Sequence, residues 1–328
     1  MKKVLVTQAI PEEAVCLLRD QAEVVVSPDP SEEAILHLIK DANALIVRTT
    51  SRITRRIVDA SEQLKVISRT GAGLDNIDVK AATERGIAVC HLPGVNSLAV
   101  AEHTVALILA LAKQLRWMDR NVRKGNWGSR NADNTVELYG LTLGVVGLGQ
   151  IGRRVAQQCR QGFGMKVKGH DPWAEPSALQ ASGVCLLGSI EPVFAESDFV
   201  SIHVPYNPQT HHLVDGRLLG LMRPQAYLVN TSRGGVVDEQ ALVDALRSRT
   251  IAGAGLDVME EEPPSAASPL LGLDNVILTP HSAALTRQCR LRLGIGAVQA
   301  VLDVFAGRRP KHVFNRQPPG WPADENQR

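Results

Sequence analysis

A chain of 328 residues exceeds one ordinary domain and fits two of roughly 100–200 residues each. Its composition, 44% hydrophobic and 21% charged, is that of a soluble globular protein. A net charge of +2, with acids and bases mixed along the chain, offers no basic face to nucleic acid or to an anionic membrane. The five cysteines (Cys16, Cys90, Cys159, Cys185, Cys289) are odd in number and scattered, so they outline neither a disulfide framework nor a metal cluster and point to a reducing cytoplasm.

The first apolar run is too short for a signal peptide, and Gln8 and Pro11 interrupt it. Val4–Thr7, Glu23–Val26, Ala44–Arg48, Leu64–Ser68 and Ile87–Cys90 are short, nearly continuous apolar strands. Helical stretches separate them, one opened by Asp29 as cap with Pro30 at its first position. The most apolar helix, Leu98–Leu115, carries Glu102 and His103 and is too short to span a bilayer, so a buried interface is expected for it. A second alternating run follows, with strands Leu143–Gly147, Lys166–Asp171, Phe199–Val204, Ala226–Thr231, Gly253–Val258 and Asn275–Pro280. A helix over Thr286–Ala306 and a polar, proline-rich tail, expected to be loosely ordered, complete the chain. Strands buried on both faces and separated by helices imply an α/β protein of two doubly wound parallel sheets, both Rossmann-like, with a cleft between them. The expected division is discontinuous. Residues 1–97 plus 287–328 form one domain and 98–286 the other, because the last helix can cross back.

Gly147-Leu148-Gly149-Gln150-Ile151-Gly152 follows a strand and opens the helix continuing to Cys159. The first glycine suits a tight turn, the second lets a pyrophosphate approach the backbone, and the third lets the helix pack on the strand. Such a motif alone is weak. Asp171, 19 residues beyond Gly152 at the end of the next strand, strengthens it. A carboxylate there can accept from both ribose hydroxyls of NAD and repel the 2′-phosphate of NADP. The competing reading of Asp171 is a loop cap.

Three later segments hold the chemistry: Val229–Gly235, Gly255–Pro263 and Thr279–Ser282, each at the C-terminal end of an expected strand. With Arg69–Asp78 (including Gly71, Ala72, Gly73, Asn76 and Asp78) and Asn96-Ser97, they resemble the D-isomer-specific 2-hydroxyacid dehydrogenase family, motif by motif and in order, from about Ala44 to Asn315. Within the family the chain most resembles the catalytic core of phosphoglycerate dehydrogenases. The resemblance implies an NAD-dependent enzyme interconverting a D-2-hydroxy acid and its 2-keto acid, and a homodimer built on the Leu98–Leu115 helix. The regulatory extension of many phosphoglycerate dehydrogenases is lacking, so feedback by an amino acid is not expected.

The residue types suit that chemistry. Arg233 offers a planar fork for a carboxylate and its neighbouring carbonyl. His281 can give or take the proton at the developing alkoxide. Glu262 holds the other ring nitrogen, chosen over Glu260 and Glu261 because Pro263 follows it as in the family. By the resemblance, Asp257 accepts from the nicotinamide carboxamide, and cofactor contacts also fall on Gln150, Ile151, Val204, Thr231, Ser232, Arg233 and His281. Substrate contacts fall on Arg48, Arg69, the Gly71-Ala72-Gly73 amides as a small anion nest, Asn96, Ser97, Arg233 and His281. Against these stand plainer readings. A histidine at a strand end is more often structural, which applies to His37, His91, His103, His170, His203, His211, His212 and His312. Arg48 and Arg69 could be surface ion-pair residues, and a glutamate run is usually a solvated loop. If both arginines are spare cations, the substrate carries a second anionic group, as 3-phosphoglycerate does; glyoxylate or hydroxypyruvate is the alternative. Formate dehydrogenase, which has Gln at the position of Glu262, fits less well. A non-catalytic NADH-sensing protein like the C-terminal-binding corepressors keeps the same residues, and only turnover separates it. Met259 replaces an aromatic residue common in the family.

Overall fold

The computed structural model describes residues 1–175 and 183–315; the proline-rich tail lies outside the described residues. The chain divides into two compact units, Met1–Asn96 with the chain from Leu285 onward, and Ser97–Ala284.

The first unit is a five-stranded parallel sheet of β1 (Lys2–Val6), β2 (Ala22–Val26), β3 (Ala44–Val47), β4 (Val66–Arg69) and β5 (Ala88–Cys90), in the order β2-β1-β3-β4-β5. β3, β4 and β5 are buried throughout, the signature of a sheet covered on both faces. Its helices begin where short polar side chains can take up a free amide: Ser31 accepts from Ala34 N, Thr54 from Ile57 N and Asp78 from Ala81 N. Ser31, not Asp29, is therefore the cap of helix Glu32–Leu38; Asp29 instead accepts from the Ser31 amide at 2.8 Å. The last helix, Arg287–Phe305, capped by Thr286, packs in this unit. Ser68 Oγ donates to its Ala297 carbonyl at 2.9 Å, and Gly294 sits so near Ala14 that a Cβ would come within 3.1 Å of that methyl. Beyond it the chain is pinned to β5: Phe314 N donates to Val89 O, and buried Asn315 accepts from Val89 N, both at 2.8 Å.

The second unit is a seven-stranded parallel sheet of β6 (Thr142–Val146), β7 (Lys166–His170), β8 (Cys185–Leu186), β9 (Phe199–Ile202), β10 (Tyr227–Asn230), β11 (Gly253–Leu256) and β12 (Val276–Leu278), ordered β12-β11-β10-β9-β6-β7-β8. The strand order reverses between β6 and β9, where doubly wound sheets hold ligands outside the carboxyl ends of their strands. β8, two residues long, is the strand that apolar periodicity does not reveal.

The apolar helix runs Ser97–Ala112, shorter than expected. Gln114 takes a left-handed φ of 51°, and a second helix, Leu115–Arg123, leaves at 58°. Leu107, Ile108 and Leu111 are buried. Gly255 of β11 lets the helix close on the sheet, since a Cβ there would lie 3.2 Å from Leu107 Cβ and 3.3 Å from Leu111 Cδ1. Burying three such side chains contributes roughly 1.5–3 kcal/mol each, so much of this helix's apolar character is already spent within its own unit. Among the described residues no single helix is long and apolar enough to cross a membrane. All five cysteines are free; Cys90, Cys159 and Cys289 are buried, and Cys16 and Cys185 are exposed.

Candidate active site

The glycine loop at the sheet's reversal uses its three glycines differently. Gly147 has φ +90°, a backbone region that favours glycine, and a Cβ there would stand 2.8 Å from the His203 carbonyl. At Gly152 a Cβ would meet the Gly147 carbonyl oxygen at 2.0 Å, so only glycine lets helix Gln150–Phe163 start this close to β6. Around Gly149 there is no atom within 4 Å of such a Cβ. That open face, at the amino end of a 14-residue helix, fits a pyrophosphate approaching backbone amides. Val204 lies against the loop beside Gly147, Ile151 packs on the core behind it, and Ser97 Oγ donates to Gln150 Oε1 at 3.4 Å. Asp171 accepts from Leu148 N at 2.8 Å and from Trp173 N at 2.9 Å. It therefore caps the loop, as the plainer reading held, while each oxygen keeps a second lone-pair direction for a ribose hydroxyl.

Arg233 follows β10 in a turn closed by buried Asn230, whose Oδ1 accepts from Ser232 N and Oγ and whose Nδ2 donates to the Arg233 carbonyl. Buried Thr231 pairs its hydroxyl with that of Thr104 at 2.9 Å. Gly234 is the hinge of the arrangement. A Cβ there would lie 2.0 Å from the Met259 carbonyl, so the Arg233 turn presses directly on the segment carrying Glu262.

Glu262 Oε1 accepts from Met259 N at 3.0 Å, and Oε2 lies 2.7 Å from His281 Nδ1. Partial burial works to raise the Glu262 carboxyl, but the hydrogen bond and charge of His281, the Met259 amide and the charge of Arg233 outweigh it and hold the group below the usual glutamate value. Glu260 is committed elsewhere, to Glu239 N at 3.1 Å and His212 Nε2 at 2.7 Å, so of these two glutamates it is Glu262 that faces the imidazole. Among the described residues His281 Nε2 makes no hydrogen bond.

His281 sits at φ +50°, costly for a residue with a Cβ, so the segment must be held from outside. Asp257 holds it. Its carbonyl takes the His281 amide at 2.7 Å, and its carboxylate, 1% exposed, accepts from Thr279 Oγ1 at 2.6 Å, Ser282 N at 2.8 Å and Ala283 N at 2.9 Å. His103 Nε2 lies 3.0 Å from Thr279 Oγ1, extending the chain to the apolar helix. Sequence reading missed Thr279 and His103 in these roles; a histidine on an apolar helix gives no signal of what it faces.

The remaining substrate-site candidates, Arg48, Arg69, Gly71, Ala72, Gly73 and Asn96, belong to the first unit. Arg69 is not a spare cation. It is 5% exposed, donates to Asn76 Oδ1 at 3.3 Å and Thr49 Oγ1 at 3.0 Å, and lies against Gly71, where a Cβ would meet its Nη1 at 2.9 Å. Asn76 in turn donates to the Arg48 and Ser51 carbonyls, and the Ala72 carbonyl lies 2.9 Å from His91 Nδ1. Arg48 donates to the Ala9 carbonyl at 3.0 Å.

Residues 105–283 match the model of the D-isomer specific 2-hydroxyacid dehydrogenase NAD binding domain. The chain belongs to the D-isomer specific 2-hydroxyacid dehydrogenase family, as its motifs implied, and its seven-stranded unit is an NAD-binding domain. It is 41% identical to D-3-phosphoglycerate dehydrogenase of Methanocaldococcus jannaschii, over 96% of this chain and 60% of that protein. It is 37% identical to glyoxylate reductase of Korarchaeum cryptofilum, over 97% of this chain and 99% of that one. The crystal structure of D-lactate dehydrogenase from Aquifex aeolicus, complexed with NAD and lactic acid, shares 33% identity, with a TM-score of 0.83 over 93% of this chain and 96% of that one. The chain spans 50–60% of the length of the phosphoglycerate dehydrogenases it matches.

Proposed function

We propose that this chain interconverts a D-2-hydroxy acid and its 2-keto acid with NAD(H), with His281 as the acid–base group. The carrying observation is the 2.7 Å contact of His281 Nδ1 with Glu262, whose carboxylate also feels the charge of Arg233. When bound, NADH supplies the hydride that reduces the keto carbon. Gly147, Gly149, Gly152, Asp171, Val204, Thr231 and Ser232 hold the cofactor. Arg233 binds the substrate carboxylate through its fork and draws charge onto the carbonyl oxygen. Glu262 fixes the ring through Nδ1, so Nε2 is the atom that passes a proton to that oxygen, or removes it in the other direction. Asp257 acts first on the chain itself, by holding the segment of His281. Oxidation of NADH with a panel of 2-keto acids tests the assignment. His281→Ala should cost about 10²–10⁴-fold in kcat/KM with NADH binding near normal. Wild-type protein that turns over none of them would favour the NADH-sensing reading.

For the substrate we propose a phosphate-bearing 2-hydroxy acid of the 3-phosphoglycerate type, supported by Arg48, which pairs with no carboxylate among the described residues, and by the likeness to D-3-phosphoglycerate dehydrogenases. Glyoxylate is the second reading, favoured by the nearly full-length match to a glyoxylate reductase. We propose a cytoplasmic homodimer acting on small molecules, without nucleic-acid or membrane partners. Exposed Val122, Trp127, Val136 and Tyr139, just beyond the apolar helix, supply the surface for dimerisation. A monomer by sedimentation would rule it out.

A further inference from the structure

At the amino ends of β10, β11 and β12, away from the carboxyl ends that carry Arg233, Glu262 and His281, a cavity opens beside the close of helix Ser97–Ala112. Its volume is about 410 Å³, within the range of small-molecule sites at roughly 300–1,000 Å³. Leu111, Ala252 and Ile277 give it an apolar wall, and Trp117 adds an aromatic one.

Of the charged groups on this cavity, Asp274 is paired with Arg120 at 2.6 Å, and Arg116 is spent on the Leu273 and Val276 carbonyls. Arg249 also lines it, and among the described residues its side chain has no hydrogen bond and no carboxylate partner. It sits at φ +59°, one residue past the cap of helix Glu239–Arg247, a position and a conformation that suit glycine. Closing the helix does not call for a guanidinium there. Strained backbone of this kind collects at ligand clamps and functional sites. Of the four non-glycine residues with positive φ among the described residues, Gln114 and Arg249 both line this cavity, and a third is His281.

The Tyr227 hydroxyl supplies a second donor. It accepts from Gln114 Nε2 at 3.0 Å, which leaves its own proton to be given away. The same Gln114 amide is fixed by a 3.0 Å bond to the Leu111 carbonyl, and the Tyr227 ring stacks on Phe199 with centroids 5.1 Å apart. Burial raises the Tyr227 phenol above its ordinary value, against the Gln114 bond and the charge of Arg249, so it stays protonated at neutral pH and feels that guanidinium. One free cation, one fixed neutral donor and a wall of apolar and aromatic side chains match a monoanion with a flat apolar body.

We propose that this cavity binds an aromatic monocarboxylate, its carboxylate held by Arg249 and the Tyr227 hydroxyl and its ring set against Trp117 and Leu111. The site is separate from those of the cofactor and the keto acid, at the other end of the same strands, and does not rest on the dehydrogenase reading above.

The test is calorimetric titration of the full chain with 3-phenylpropionate, which has neither a 2-hydroxy nor a 2-keto group, at fixed ionic strength and without cofactor. The wild type should bind it saturably, and should bind the uncharged 3-phenylpropanamide and the ringless acetate at least about 10-fold more weakly. Arg249→Gly removes the cation while relieving the positive φ, so the fold is kept, and it should weaken binding about 10–100-fold. Arg249→Lys should keep part of the affinity, Tyr227→Phe should lose severalfold, and Arg247→Ala should keep all of it. Arg233→Ala shows whether the probe has entered the keto-acid site instead, and binding there should be unchanged. Absence of saturable binding by the wild type, equal affinity in Arg249→Gly, or loss of binding in Arg233→Ala overturns the proposal. A cavity filled by a second copy of the chain would give the first of these results.

Discussion

Replacing Asp257 by asparagine removes one charge and turns one buried acceptor into a donor, at a residue 1% exposed. In the native protein three donors meet this carboxylate at 2.6–2.9 Å: Thr279 Oγ1, Ser282 N and Ala283 N. Charge-assisted bonds contribute roughly 1.5–3 kcal/mol each and neutral ones about 0.5–1.5, while a buried donor left facing another donor costs about 1–3. Whichever way the amide turns, at least one of the three donors loses its partner and the others weaken. A loss of about 3 kcal/mol follows. For a unit of this size, roughly 2–4 °C per kcal/mol puts the fall in Tm at about 6–12 °C. Because the same contacts hold His281 at its positive φ, kcat/KM for keto-acid reduction should also fall, by ~100-fold or more. Thermal unfolding followed by near-ultraviolet circular dichroism, with NADH binding measured in parallel, separates two roles for the residue. An anchor of the His281 segment loses Tm and kcat/KM together. A residue whose task is only to contact the nicotinamide carboxamide would lose NADH affinity with Tm unchanged, and that result would refute the anchoring argument.

Glu262→Gln should lower kcat/KM for reduction while NADH binding stays near normal, since the ring loses the carboxylate that holds it through Nδ1 at 2.7 Å; unchanged kcat/KM breaks the pair. In the parent protein Glu262 titrates below the usual glutamate value, so its contribution to stability is complete above the ordinary carboxylate range and is lost only as pH falls through the lowered value. His203 acts in the same direction but at higher pH, so stability again falls as pH is lowered. Burial pushes its ring down to about 3, so between that value and about 6.5 the unfolded chain binds a proton that the folded one does not. Stability should fall by up to ~1.4 kcal/mol for each pH unit across that window, and His203→Gln should flatten the slope of urea midpoints measured at several pH values. Identical slopes in parent and variant would dispose of the idea. Asp171→Ala should weaken NADH and narrow the gap to NADPH, while also loosening the glycine loop through loss of the Leu148 contact; parental preference for NADPH would contradict this.

The strands were legible because parallel strands buried on both faces are apolar along most of their length, as β3 is throughout and β6 and β9 are but for Thr142 and Ser201. The segments proposed as catalytic were legible because glycine, arginine, carboxylate and imidazole stand at strand ends. What escaped depends on distances between segments far apart in the chain. Arg48 and Arg69 give the same signal, an arginine closing an apolar strand. Their fates diverge because β3 and β4 pair with Val47 opposite Arg69, which brings Arg69 under Thr49 and beside Asn76. Arg48, one residue past β3, instead donates to the Ala9 carbonyl. Ser31 displaced Asp29 as a cap for a similar reason, since both side chains are competent and the geometry of the turn decides. The dual engagement of Asp257, toward Thr279 and toward the amides beyond His281, needs β11 and β12 side by side before it can be seen.

The distribution of cysteines has a practical use. Burial raises the thiols of Cys90 and Cys159 to about 12 and that of Cys289 above its ordinary value, which disfavours the thiolate a maleimide needs at neutral pH. Cys16 and Cys185 are exposed, one on each compact unit. Mild labelling of the unaltered chain should therefore attach one fluorophore to each unit, with no engineered site and no substitution in the core. Energy transfer between the two dyes, recorded as cofactor and keto acid are added in turn, would show whether the distance between the two labels changes on binding.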